Sequence, residues 1–128
     1  MRKFTDIQNE IIAKYRLDLC DGTRCDDGDW SRTHVHVRQR KVCKWKQANS
    51  VQSTFTLLHE VGHIVNNNSR MRRAEEEYYA TVWALETARK YGIKVPASVI
   101  SKYQRYINCE KARGVRRGGG NYGKLKLV

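Results

Sequence analysis

The stretch Phe55-Thr56-Leu57-Leu58-His59-Glu60-Val61-Gly62-His63-Ile64-Val65 decides how this chain is read. It is apolar, it has helical periodicity, and it contains the pattern His-Glu-x-x-His. An α-helix turns about 100° per residue, which sets His59 and His63 about 40° apart on one face, one turn from each other. Two imidazoles so placed can both turn toward one ion. Zn²⁺ binds nitrogen at about 2.0–2.1 Å and, in catalytic sites, keeps one tetrahedral position open. Glu60 stands beside the first histidine, where a carboxylate can hold and deprotonate a water at that open position. The chemistry implied is hydrolysis of a peptide bond. Two histidines coinciding on an amphipathic helix would be the plain alternative; the helical context and a following glutamate cluster weigh against it.

A zinc ion held by two histidines needs a third protein ligand. Glu75-Glu76-Glu77 supplies candidates on a second helix, expected from about Met71 to Tyr91. Three adjacent carboxylates point in three directions, so not all can face one ion. Glu77, Ala80, Thr81 and Ala84 recur at i, i+3, i+4 and i+7 and so share a face. Small side chains on that face permit close packing against the motif helix. This favours Glu77 as third ligand, with Glu76 as the alternative.

On either side of these two helices the chain divides into short, readable pieces. A first helix is expected over about Asp6–Arg16, with Thr5 and Gln8 fitting a capping box and Ile7, Ile11, Ile12 and Tyr15 forming its apolar stripe. Asp18 to Asp29 is rich in Asp and Gly and reads as a turn-rich loop; the alternation of acids that a calcium loop needs is absent. Thr33–Arg38 alternates with period two, as a half-buried strand does, and a second strand is expected over Val42–Trp45. The two would form a small antiparallel sheet joined by a basic turn at Gln39-Arg40-Lys41. Asn49, Ser50 and Ser53 offer caps for the motif helix, Asn66-Asn67-Asn68 ends it, and Ser69 can cap the next. Gly92 suits a left-handed helix end, and Pro96 opens a last helix running to about Arg113.

The length of 128 residues suits one compact domain, placed at 1–113, followed by a basic glycine-rich tail at 114–128 that is expected to be mobile. A net charge of +12 sets the electrostatic character. Between Trp30 and Leu58 there is no acid, whereas Arg32, Arg38, Arg40, Lys41, Lys44 and Lys46 are present. Such a surface suits an acidic partner, either nucleic acid or an acidic protein face, or serves solubility alone. No apolar run reaches the length of a membrane span, and the N-terminus lacks the apolar core of a secretory signal, so a cytoplasmic protein is expected. The four cysteines, Cys20, Cys25, Cys43 and Cys109, are then expected to be reduced. Cys20 and Cys25, with His34, His36 or Cys43, offer a second, structural metal site, although partly buried thiols are the simpler reading.

Two blocks resemble one known family. Phe55-Thr56-Leu57-Leu58-His59-Glu60-Val61-Gly62-His63 is similar to the F-T-L-x-H-E-x-G-H block of the ImmA/IrrE metallopeptidases. Glu77-Tyr78-Tyr79-Ala80-Thr81-Val82-Trp83-Ala84 is similar to that family's E-x-E-A-[ND]-x-[FW]-A block. The similarity covers about residues 50–95; elsewhere only the order of elements agrees. It implies an α+β, zincin-like fold with three to four helices and a small antiparallel sheet. It also implies a gluzincin-like centre: His59, His63 and Glu77 as zinc ligands and Glu60 as general base. The implied substrate is a repressor or other regulator of a phage or mobile element. Two positions depart from the family pattern. Thr81 stands where Asn or Asp is frequent, and Tyr79 replaces the second Glu; loss of such supporting contacts typically costs about 10–100-fold in metal affinity or activity.

An oxyanion donor would complete the site, and Tyr78, Tyr79, Tyr103 and Tyr106 are the candidates. Two rival functions share the same metal. One is a catalytically weak, zinc-stabilised protein that sequesters a regulator or nucleic acid through its basic surface. The other is a metallohydrolase acting on nucleic acid.

Overall fold

A computed structural model describes residues 3–20, 33–43, 45, 47–66, 71–116 and 125–127. The order of elements is α1 (Phe4–Tyr15), β1 (Asp18–Cys20), β2 (His34–His36), β3 (Lys41–Cys43), α2 (Val51–Val65), α3 (Arg73–Lys90) and α4 (Ala97–Arg116). Among the described residues, four helices with one three-stranded sheet make an α+β fold. Among the described residues no helix is long and apolar enough to cross a membrane.

The motif helix forms where its sequence says it should. Ser50 accepts a hydrogen bond from the Ser53 amide at 3.1 Å, and the Ser53 hydroxyl accepts one from the Ser50 amide, also at 3.1 Å. This reciprocal cap satisfies two amides at the helix start that have no partner inside the helix. Thr54, Phe55, Leu57, Leu58, Val61 and Ile64 face inward, and Asn66 ends the helix. α1 departs from expectation at its start. Lys3 is its N-cap, with no side-chain hydrogen bond. Gln8 is instead buried, and its side-chain oxygen accepts from the Ala48 amide at 2.6 Å, tying α1 to the segment entering α2. A long-range amide partner inside the core has displaced the local capping box.

The sheet is mixed rather than antiparallel. Its order is β1-β3-β2, with β2 antiparallel and β1 parallel to β3. The antiparallel pair and its turn were legible from alternation; β1 lies where a turn-rich loop was expected. Residues 21–29 of that loop, and Ser69, fall outside the described residues. Leu19, Val42 and Val35 make one cross-strand row packed toward the main core of Ile7, Ile11, Phe55, Leu57, Leu58 and Val61.

α3 packs on α2 through small residues. Ala80, Thr81, Ala84 and Ala88 are fully buried, whereas the larger Tyr78, Val82 and Leu85 are half-buried at the margin. The approach is closest at Gly62. A Cβ there would lie 2.5 Å from the Ala80 carbonyl oxygen and 2.9 Å from its Cα, so only glycine fits. Gly92 adopts φ 74°, the left-handed conformation expected after α3.

Most of the tail expected to be mobile, residues 117–124 and 128, lies outside the described residues; its described parts are held. α4 continues to Arg116, and Leu125 is buried against Ala74 and Ile107. The Gln104 side chain grips this segment from both sides: it donates to the Leu125 carbonyl at 3.0 Å and accepts from the Leu127 amide at 2.7 Å. Leu125 and Leu127 flank Lys126, and that alternation turns two apolar side chains toward α3 and α4.

Replacing an interior helical glycine by alanine ordinarily stabilises by about 1 kcal/mol. At Gly62 overpacking against a neighbouring backbone, typically about 1–3 kcal/mol, opposes that gain. Gly62→Ala should therefore lower stability in urea unfolding; a rise would contradict the α2–α3 contact described.

Candidate metal centre

α2 and α3 bring His59, His63 and Glu77 together. One donor atom from each lies within 4.8 Å of the others. His59 Nε2 is 3.2 Å from Glu77 Oε2, and His63 Nε2 is 3.3 Å from Glu77 Oε1. Donors bound tetrahedrally at about 2.0–2.1 Å stand about 3.4 Å apart, so these separations suit a small divalent ion. The two imidazoles sit edge to face with centroids 4.8 Å apart.

The 3.2 Å contact between His59 Nε2 and Glu77 Oε2 is short enough for a hydrogen bond but too poorly aligned to be one. Both atoms are buried without a hydrogen-bond partner among the described residues. An unsatisfied buried polar atom costs about 1–3 kcal/mol, more when charged. Two such atoms side by side, both able to bind metal, fit a cation between them.

Burial lowers the proton affinity of His59, but the carboxylates of Glu60 and Glu77 more than offset this and raise its pKa to about 9. Burial would likewise raise the Glu77 carboxyl, yet the two imidazoles reverse the direction and hold it well below the usual carboxylate range. Without an ion, both directions favour a protonated His59 beside an ionised Glu77.

The three glutamates take separate roles. Glu75 folds back on Arg72, accepting from its guanidinium at 2.8 Å and from its amide at 3.2 Å. Glu76 borders the cleft, with Arg73 at 3.9 Å. Glu77 alone is buried and faces both histidines. Glu60 is half-buried at the cleft, 3.7 Å from His59 Nδ1.

One neighbour, Arg73, had escaped the sequence reading, and another, Tyr103, had stood unranked among four tyrosines. Arg73 Nη2 reaches Glu77 Oε1 at 3.1 Å, which leaves Oε2 as the oxygen without a hydrogen bond. Its i, i+4 spacing to Glu77 was a usable signal. Tyr103, on α4, lays its ring on His59 at 4.7 Å and on Phe55 at 5.1 Å. Burial, with Glu60 and Glu77 nearby, pushes its phenol up to about 12 against a hydrogen bond with Thr56. Tyr103 is therefore a neutral donor. It lines the cleft, as does Tyr106, whose oxygen accepts from Arg73 at 3.3 Å. Tyr79 is exposed, and Tyr78 donates to the Lys126 carbonyl at 3.4 Å. Thr81 donates to the Glu77 main-chain carbonyl at 2.7 Å, so its hydroxyl proton braces its own helix.

The centre opens into a cleft of about 1360 Å³. One rim is β2, which among the described residues pairs only with β3 and so stands at the sheet's edge; the opposite rim is α4, with Lys102, Tyr103 and Arg105. Fold and centre together define an α+β domain with a buried His-His-Glu group able to hold a metal ion. No family model, curated protein or solved structure matches the chain.

Removing Glu77 and removing Glu76 should differ sharply. Glu77→Ala is expected to lose bound zinc, and Glu76→Ala to keep it, by mass spectrometry of metal content. Metal must also displace the His59 proton. Below about pH 9 that proton competes, so zinc affinity should rise with pH, up to tenfold per unit, and level off above about 9. Calorimetry in buffers of different ionisation enthalpy reads the proton released; no release at pH 7 would contradict the charge state described.

Proposed function

We propose that this protein is a zinc-dependent endopeptidase of the ImmA/IrrE type. The observation that carries the reading is the pair of orphaned buried atoms, His59 Nε2 and Glu77 Oε2, beside His63 and at the floor of a cleft walled by an edge strand. His59, His63 and Glu77 would hold the ion. When bound, zinc supplies Lewis acidity and makes water a stronger acid.

The remaining steps belong to the chain's own groups. Glu60, on the cleft side of the first histidine, takes a proton from the attacking water and returns it to the leaving amine. Arg73 orients Glu77 through its 3.1 Å contact with Oε1. Tyr103, protonated across the neutral range, is the better placed of the tyrosines to donate toward the oxygen that gains charge. β2 offers main-chain groups to which an extended peptide can add as a further strand. A flexible segment of a protein, such as a regulator's linker, is the substrate this geometry suits.

Glu60→Gln should retain zinc and lose cleavage by about 10²–10⁴-fold, the usual contribution of a general base. The assay is mass spectrometry of a proteome-derived peptide library, with and without chelator. Unchanged cleavage by Glu60→Gln, or none by the zinc-loaded wild type, would sink the peptidase reading.

A second reading draws on the net charge of +12 and the placement of Lys102 and Arg105 on the cleft rim. There the protein would bind nucleic acid, and the metal would only brace the fold. Such binding should weaken steeply with salt. Negligible affinity for DNA and RNA at low salt removes it.

A further inference from the structure

The sheet carries a second convergence of donors. His34 lies opposite Cys43 in the β2–β3 register, and His36 follows two residues along β2. Residues paired across strands share a face, as do residues i and i+2. The three side chains therefore project from one face, and one donor atom of each lies within 4.8 Å of the others. Cys20 joins the same row from β1, next to Cys43. Leu19, Val42 and Val35 occupy the other face, toward the core. The donor face is nonetheless shielded: Cys43 is 0% and Cys20 2% exposed, and His34 is 9%.

We propose that His34, His36 and Cys43 bind a second zinc ion, distinct from the His59–His63–Glu77 group, as a structural clip between β2 and β3. A thiolate with two imidazoles is a borderline-soft set that favours zinc over hard cations such as Ca²⁺ or Mg²⁺. Tetrahedral zinc holds such atoms about 3.4–3.6 Å apart, which small side-chain rotations from a spread within 4.8 Å supply. The need for a clip is physical. Each strand has three residues, and ladders this short are marginal without added restraint. Because β2 also walls the cleft, the clip fixes that wall. This holds whether or not the cleft cleaves peptides.

Cobalt separates the two centres, since only the sheet group contains sulfur. Apo-protein prepared under reducing conditions and titrated with Co²⁺ should bind two equivalents. One of them should bring a near-ultraviolet thiolate-to-cobalt charge-transfer band. The double variant His63→Ala/Glu77→Ala should keep that band and bind one equivalent. Cys43→Ser should lose the band and retain the other equivalent. Should Cys43→Ser fail to fold, the X-ray absorption of the zinc-loaded wild type decides, with a sulfur shell expected at about 2.3 Å. No band in the wild type, a band that survives Cys43→Ser, or no sulfur shell overturns the site. None of these results bears on the histidine–glutamate centre.

Discussion

The approach of α2 to α3 at Gly62 and Ala80 is the contact on which the rest depends. Backbone touches backbone there, because neither helix places bulk between them. Glu77 lies one turn before Ala80 on that face. The same closeness that excludes a methyl group at Gly62 therefore delivers a carboxylate to His59 and His63. A larger residue at Ala80 or Ala84 would push α3 outward and carry Glu77 with it. Close packing of small residues thus does two things at once: it stabilises the helix pair and sets the reach of the acid.

That placement has an energetic consequence. A buried carboxylate between two imidazoles is stable only when its charge is answered. Arg73 answers it on one oxygen, and a protonated His59 does so near the other. The arrangement keeps Glu77 charged and in position in the absence of an ion. A divalent cation entering such a site would displace the His59 proton, so the interior gains one positive charge rather than two.

How much of this was legible in the sequence varies with the range of the interactions. α2 was readable from end to end: a capping pair at Ser50 and Ser53, inward apolar spacing, and an asparagine stop. Glu77 was distinguishable from Glu75 and Glu76 because its face carries Ala80, Thr81 and Ala84, a local pattern. The features missed are non-local. Gln8 looked like half of a capping box, yet its partner is the Ala48 amide. Asp18-Leu19-Cys20 has too few residues to announce a strand, and its pairing with β3 is parallel and remote in sequence. Leu125 and Leu127 looked like part of a loose end, because nothing near them reveals the hold of Gln104. Tyr103 was one of four candidate tyrosines, and no spacing signal could rank it, since it reaches His59 from another helix.

Tyr103 also has a directional effect. Its ring roofs the first histidine, and α3 closes the site from the side of Glu77. Among the described residues, Glu60 and β2 line the cleft beside these donors. A ligand entering that cleft would therefore pass a carboxylate and a strand edge on the way to the buried donors.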